Sequence, residues 1–166
     1  MFTIGIISLA GCSGEEKPSD YVENNSRDHN CYSYAFDLPF AVDPGELSNR
    51  SDYMYLHKSK YTPEEITKYV IRDMDALGKA VRVVDGPEDK NDNEYIVAMK
   101  TSDRVLLLQG IADYHFAVLL SDGTWADKPG RKKSRWNKID GMADTWDCGF
   151  RLGYYNTDTV FFAVER

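Results

Sequence analysis

The chain has 166 residues, 42% of them hydrophobic and 13% aromatic, enough for one domain with a sizeable buried core and unlike the composition of a disordered chain. Its net charge of -7 excludes a general nucleic-acid binder, which needs a basic face to neutralise phosphates. Three cysteines and three histidines are too few and too scattered for a disulfide framework or a metal-ligand pattern, so neither a metal nor another cofactor is expected.

Residues 1–12 hold an apolar stretch too short to span a bilayer, closing on Leu9, Ala10, Gly11 and Cys12 and followed by a polar run through Glu15, Glu16, Lys17 and Pro18. Small residues before a cysteine and a polar segment after it resemble the lipobox of a bacterial lipoprotein. That resemblance implies a signal segment, a lipidated Cys12, a polar tether and a place in the cell envelope, with the lipid as the chain's only link to a membrane. The alternative is a first strand with a turn at 11–14, since residues 1–3 carry no Lys or Arg. On either reading residues 13–29 lack a hydrophobic period and form a tether or a surface loop, so the division is 1–29 and a catalytic domain over 30–166.

From Asn30 the segment NCYSYAFDL predicts a helix over 31–38 that stops before Pro39, with Cys31 in its first turn. A long loop follows over 39–61. The clearest helix covers 62–77: Thr62 caps it, Pro63 suits its first position, Glu65 completes a capping box and Gly78 ends it. Its stripe of Ile66, Tyr69, Val70, Met74 and Leu77 carries no reactive group and reads as scaffold. Strands are expected at 81–84, 95–99, 104–109, 115–120, 124–126 and 159–164. Helices first and strands later predict an α+β domain with an antiparallel sheet. The basic run RKKSRWNK at 131–138 is either a contact for an anionic ligand or a solvated loop.

A thiol reacts as thiolate, a form favoured by a helix N-terminus and by a neighbouring imidazole. Cys31 has the first locally. His115, at the start of a sheet strand, is the candidate for the second, with His29 as local competitor. A catalytic imidazole also needs a group that fixes its tautomer. If Asp122 and Gly123 form the turn, the return strand through Trp125 brings Asp127 back towards the end that carries His115. Asp122 is the rival for that role, although a turn is the ordinary home of Asp before Gly. Asn30 and Tyr32 beside the thiol, and Trp125 as a shield from water, are the candidate substrate contacts, with the Cys31 N–H and Asn30 as candidate oxyanion donors. Cys148 in TWDCGF reads as core.

Cys31 opening a helix in NCYSYA, His115 in a later strand, a D-G turn, and an acid twelve positions after the histidine resemble the NlpC-type cell-wall peptidases of the papain-like fold. The resemblance implies Cys31 as nucleophile, His115 as base, Asp127 as orienting acid, and hydrolysis of amide bonds in peptidoglycan stem peptides. It covers about a third of the chain. It departs from the family's usual Asp-Cys-Ser-Gly, which is Asn30-Cys31-Tyr32-Ser33 here. The Cys-His-Asp order with a D-G-x-W return is also similar to transglutaminase-like domains, which implies acyl transfer to amines. An inactive, lipid-anchored binding module on the same scaffold is the third reading.

Overall fold

A computed structural model describes residues 17–48, 61–103, 113–148 and 151–166. Cys12, His57 and the strand expected at 104–109 lie outside them. The described residues form a mixed α+β domain with few helices, and every strand pairing is antiparallel. Helix α1 is Cys31–Ala35 and α2 is Pro63–Ala76. Strands β1 (Val81–Val84), β2 (Glu94–Thr101), β3 (Tyr114–Leu119), β4 (Trp125–Asp127), β5 (Arg135–Trp136) and β8 (Val160–Glu165) make a six-stranded sheet in the order β1-β8-β2-β3-β4-β5. Strands β6 (Trp146–Cys148) and β7 (Arg151–Tyr155) form a separate hairpin.

Strand alternation sorts the sheet into two faces. On one, Val97, Met99, Phe116, Phe162 and Val164 pack against Tyr32 and Phe36 of the α1 region and Ile66, Val70 and Met74 of α2. On the other, Ile96, Ala98, Ala117, Phe161 and Ala163 pack against Trp125 and against Trp146, Tyr154 and Tyr155 of the β6–β7 hairpin. Because β3 pairs with β4 through Ala117↔Asp127 and β4 with β5 through Asp127↔Arg135, His115, Asp127 and Arg135 all project on the hairpin side.

Helix α1 is shorter than the span 31–38 read from the sequence. Asp37 takes a left-handed φ of 50°, its N–H reaches the Tyr34 carbonyl and the Leu38 N–H the Ser33 carbonyl at 2.8 Å, a Schellman ending supplied by Asp in place of Gly. Lys79 Nζ donates to the Phe36 and Asp37 carbonyls and secures that end. Helix α2 begins as expected, on a Thr62–Glu65 capping box. The loop after α1 is held to α2 by buried Asp73, which accepts from the Gly45 N–H at 2.7 Å, the Ser48 N–H at 2.8 Å and the Tyr32 hydroxyl at 3.2 Å. Residues 17–30 run as irregular chain against the sheet: Ser134 Oγ accepts from the Asn24 N–H, the Ser134 N–H donates to the Asn24 carbonyl, and Asp20 accepts twice from Ser121.

Candidate active site

His115 and Asp127 are brought together by the hairpin between β3 and β4. Gly123, with φ 85°, permits the tight reversal, and Asp122 Oδ1 accepts from the Thr124 N–H and hydroxyl. Asp122 is thereby a turn residue and not the partner of His115. In the resulting register Asp127 faces Ala117, two residues from His115 on the same side, and the diagonal contact closes at 2.8 Å between His115 Nε2 and Asp127 Oδ2. Both side chains are buried.

Arg135 from β5 grips the same carboxylate with two bonds, Nε to Oδ1 at 3.0 Å and a short contact from Nη2 to Oδ2. Burial alone would raise the Asp127 carboxyl, but the hydrogen bonds and charges of His115 and Arg135 outweigh it and hold the group below its ordinary value. An ionised carboxylate only accepts, so the proton of the His115–Asp127 bond sits on Nε2 and Nδ1 is left as the basic nitrogen of the neutral ring. The ring is further fixed by Tyr155, stacked at 5.3 Å with an 18° interplanar angle, and by the edge of Trp146 at 6.2 Å. The Tyr155 hydroxyl donates to Asp113 at 2.9 Å.

Cys31 enters from α1. Asn30 caps the helix through a reciprocal pair of bonds with Ser33, its Oδ1 accepting from the Ser33 N–H and its own N–H donating to Ser33 Oγ, each at 2.9 Å. The helix packs against β3, where Phe116 lies beyond the last residue that β4 pairs. Cys31, His115 and Asn30 line one cavity of about 770 Å³, together with Asp43, Asp113, Lys132, Arg135, Cys148 and Tyr155. Burial, then the carboxylates of Asp113 and Asp43, push the Cys31 thiol up, and the N–H groups of Phe116 and Tyr32 only partly oppose this. This corrects the expectation of a thiolate favoured by the helix N-terminus: five residues carry too small a dipole to offset desolvation and two nearby carboxylates. The raised value of Cys31 favours the neutral thiol over the thiolate.

The three residues read as substrate contacts have other duties. Asn30 lines the cavity, but its amide donates to the Val42 carbonyl at 2.7 Å and to Asp43 at 3.3 Å, so its side chain is not a spare oxyanion donor. Tyr32 is fully buried, packed on Phe36 and Phe116 with its hydroxyl on Asp73, and is core. Trp125 is 4% exposed and packs on Phe161 in the hairpin-side core, away from the cavity wall; Tyr155 and Trp146 shield His115 instead. His29 faces a different cavity, with Ser33, Tyr34 and Leu119, and does not share the one that holds Cys31. Cys148, read as core, does pack half-buried against the hairpin-side core, and it also stands on the cavity wall.

Arg135, Tyr155 and Asp113 are the site residues that sequence reading missed. Arg135 belongs to the basic run at 131–138, which is neither a free anion contact nor a solvated loop throughout: Arg135 holds Asp127, and Lys133 pairs with Glu23 at 2.8 Å. The missed signal was the position of Arg135 eight residues after Asp127, within reach of one more antiparallel return. Among the described residues no group of three or more His, Cys, Asp and Glu is arranged to hold a metal ion. No family model, curated protein or solved structure matches the chain.

Proposed function

We propose that the chain is a cysteine hydrolase of the papain-like kind, cleaving amide bonds in peptides, with peptidoglycan stem peptides as its substrate class and the cell envelope as its place of action through a lipid on Cys12. The observation that carries this reading is a buried His115–Asp127 bond whose histidine lines the same cavity as the Cys31 thiol. In this scheme Cys31 Sγ attacks the carbonyl carbon while His115 Nδ1 takes the thiol proton, so that thiolate forms only as the new bond forms. His115 returns the proton to the leaving amine and then activates the water that hydrolyses the thioester. Asp127 holds the Nε2–H and keeps the ring in the tautomer that leaves Nδ1 basic. Arg135 takes up part of the carboxylate's charge, so Asp127 orients the ring more than it compensates an imidazolium. The Cys31 N–H is one candidate oxyanion donor.

The cavity walls suit a polar peptide: Asp43, Asp113 and Asp147 lie on them with Lys132, Lys133 and Arg135. A second cavity of about 750 Å³, lined by Tyr21, Trp136 and Trp146, shares Lys133, Ser134, Arg135 and Asp147 with the first, which gives an extended substrate room to continue. Muropeptides released from purified peptidoglycan, incubated with the protein and followed by mass spectrometry, should yield two fragments separated at an amide bond. No cleavage by the wild-type chain, or equal cleavage by Cys31→Ala, would overturn the reading.

The raised Cys31 thiol favours a second reading, a binding module that keeps the scaffold without chemistry. It predicts retention of intact muropeptides by both the wild type and Cys31→Ala. Transfer to an added amine in preference to water would mark the acyltransferase alternative.

A further inference from the structure

Cys148 has no part in the hydrolysis proposed above, yet it stands on the wall of the cavity that Cys31 and His115 line. Both cysteines are free thiols. Cys148 ends β6, in a hairpin whose pairing is irregular between Trp146 and Cys148. Tyr155 links the two positions: it stacks on His115 and lines the cavity with both cysteines, and its strand β7 pairs with β6 through Trp146↔Tyr155 and Cys148↔Arg151. They differ in access: Cys31 is 6% exposed, whereas Cys148 is half-buried and meets solutes first.

We infer that Cys31 and Cys148 are a reversible redox pair, closing to a disulfide across the cavity under peroxide and reopening under a dithiol. In the first step the Cys148 sulfur attacks one oxygen of hydrogen peroxide and the O–O bond breaks. Cys148 becomes a sulfenic acid, and the second oxygen leaves as water with the thiol's proton. In the second step the Cys31 sulfur attacks the Cys148 sulfur while His115 Nδ1 takes the Cys31 proton. The S–S bond forms, the S–O bond breaks, and the departing hydroxide collects the proton from His115 as water. One peroxide is reduced to two waters and two thiols are oxidised to one disulfide. The closed form masks the sulfur that the proposed hydrolysis needs.

The pairing does not rest on the hydrolytic reading, and its readout is covalent. Full-length protein carrying Cys12→Ser, so that only these two thiols remain, is treated with equimolar hydrogen peroxide and analysed by intact mass and peptide mapping. The expected product is a monomer lighter by two hydrogens, with one fragment linking Cys31 to Cys148, restored to the starting mass by dithiothreitol. Cys31→Ser in that background should stop at the Cys148 sulfenic acid, trapped by dimedone in at least about tenfold higher yield than in its parent, because the resolving thiol is gone. Dimedone adducts on both cysteines of the parent, dimers linked between chains, sulfinic acid without a linked fragment, or two unreacted thiols would each overturn the proposal.

Discussion

The two faces of the sheet solve different problems with the same strands. Towards the helices, β2, β3 and β8 present Val97, Met99, Phe116, Phe162 and Val164, and the loop after α1 is fastened by Asp73 with its three donors and by Asp43, which accepts from Tyr114 and Asn30. Towards the β6–β7 hairpin the same strands carry Lys100 and His115 directly opposite each other, with Asp127 and Arg135 on the flanking strands. Lys100 is buried there, its ammonium bonded to the Thr157 carbonyl at 2.8 Å beside the Trp146 ring, and burial lowers its pKa. The apolar face is held chiefly by burial, with hydrogen bonds confined to its margin. A buried polar face must satisfy each charge, and that demand fixes the geometry of the site.

The sharpest way to break this contrast is at Cys31 and His115, the pair proposed to react. Cys31→Ala and His115→Ala should each remove amide hydrolysis of muropeptides, a loss on the order of 10³-fold or more, and the double variant should be no worse than either, because groups that act as one unit are not additive. Independent, modest losses would assign them to substrate contact. Next, Asp127→Asn keeps the shape of the side chain but lets an amide donate to Nε2 and stabilise the wrong tautomer. Hydrolysis should fall by about 10²- to 10⁴-fold in kcat with KM little changed. A pure KM effect would place Asp127 in binding.

On the helical side the expected loss is in stability. Asp73→Ala strands the Gly45 and Ser48 N–H groups and the Tyr32 hydroxyl, and should cost on the order of 3 kcal/mol in urea unfolding while a chain that remains folded keeps its site reactivity. A cost under about 0.5 kcal/mol would mean that water replaces the carboxylate there.

The smallest effect concerns acid. Asp127 is held below its ordinary value in the folded chain, so it contributes stability that is present above the unfolded carboxyl's pKa and is lost as pH falls through the lowered folded value. Arg135→Met removes one of the two groups that lower it, and burial then lifts the folded value. The acid-unfolding midpoint, followed by tryptophan fluorescence, should move to higher pH, by a modest amount because Arg135 is 35% exposed and its charge is screened. An unchanged midpoint would show that His115 alone keeps Asp127 ionised.

What was legible in the sequence follows the same division. Helix α2 was readable at both ends, since Thr62, Pro63 and Glu65 are local signals and Gly78 sits at φ 67° beyond its last turn. The β3–β4 hairpin was readable because Asp122 and Gly123 are turn chemistry and strand alternation carries His115 and Asp127 to one face. Strands β5, β6 and β7 were not. They have two, three and five residues, with Gly153 at φ 57° inside β7, and offer no period long enough to see. The misreading of Tyr32 has a non-local cause: its hydroxyl is satisfied by Asp73, 41 positions away, and a single sequence does not reveal that contact. Arg135, Tyr155 and Asp113 were missed for the same reason, each finding its partner only through tertiary pairing.

In the proposed hydrolysis Cys31 and His115 act as one nucleophile and base. Full-length protein mixed with p-nitrophenyl acetate at neutral pH tests it directly, with intact mass and peptide mapping to locate the acetyl group. A thioester on Cys31 should form and turn over in the wild type. Acetylation of that sulfur should be at least about 10²-fold slower in His115→Ala, because a buried neutral thiol needs its base. Equal acetylation of Cys31 in both proteins, or an acetyl group on Cys148 with Cys31 untouched, would contradict it.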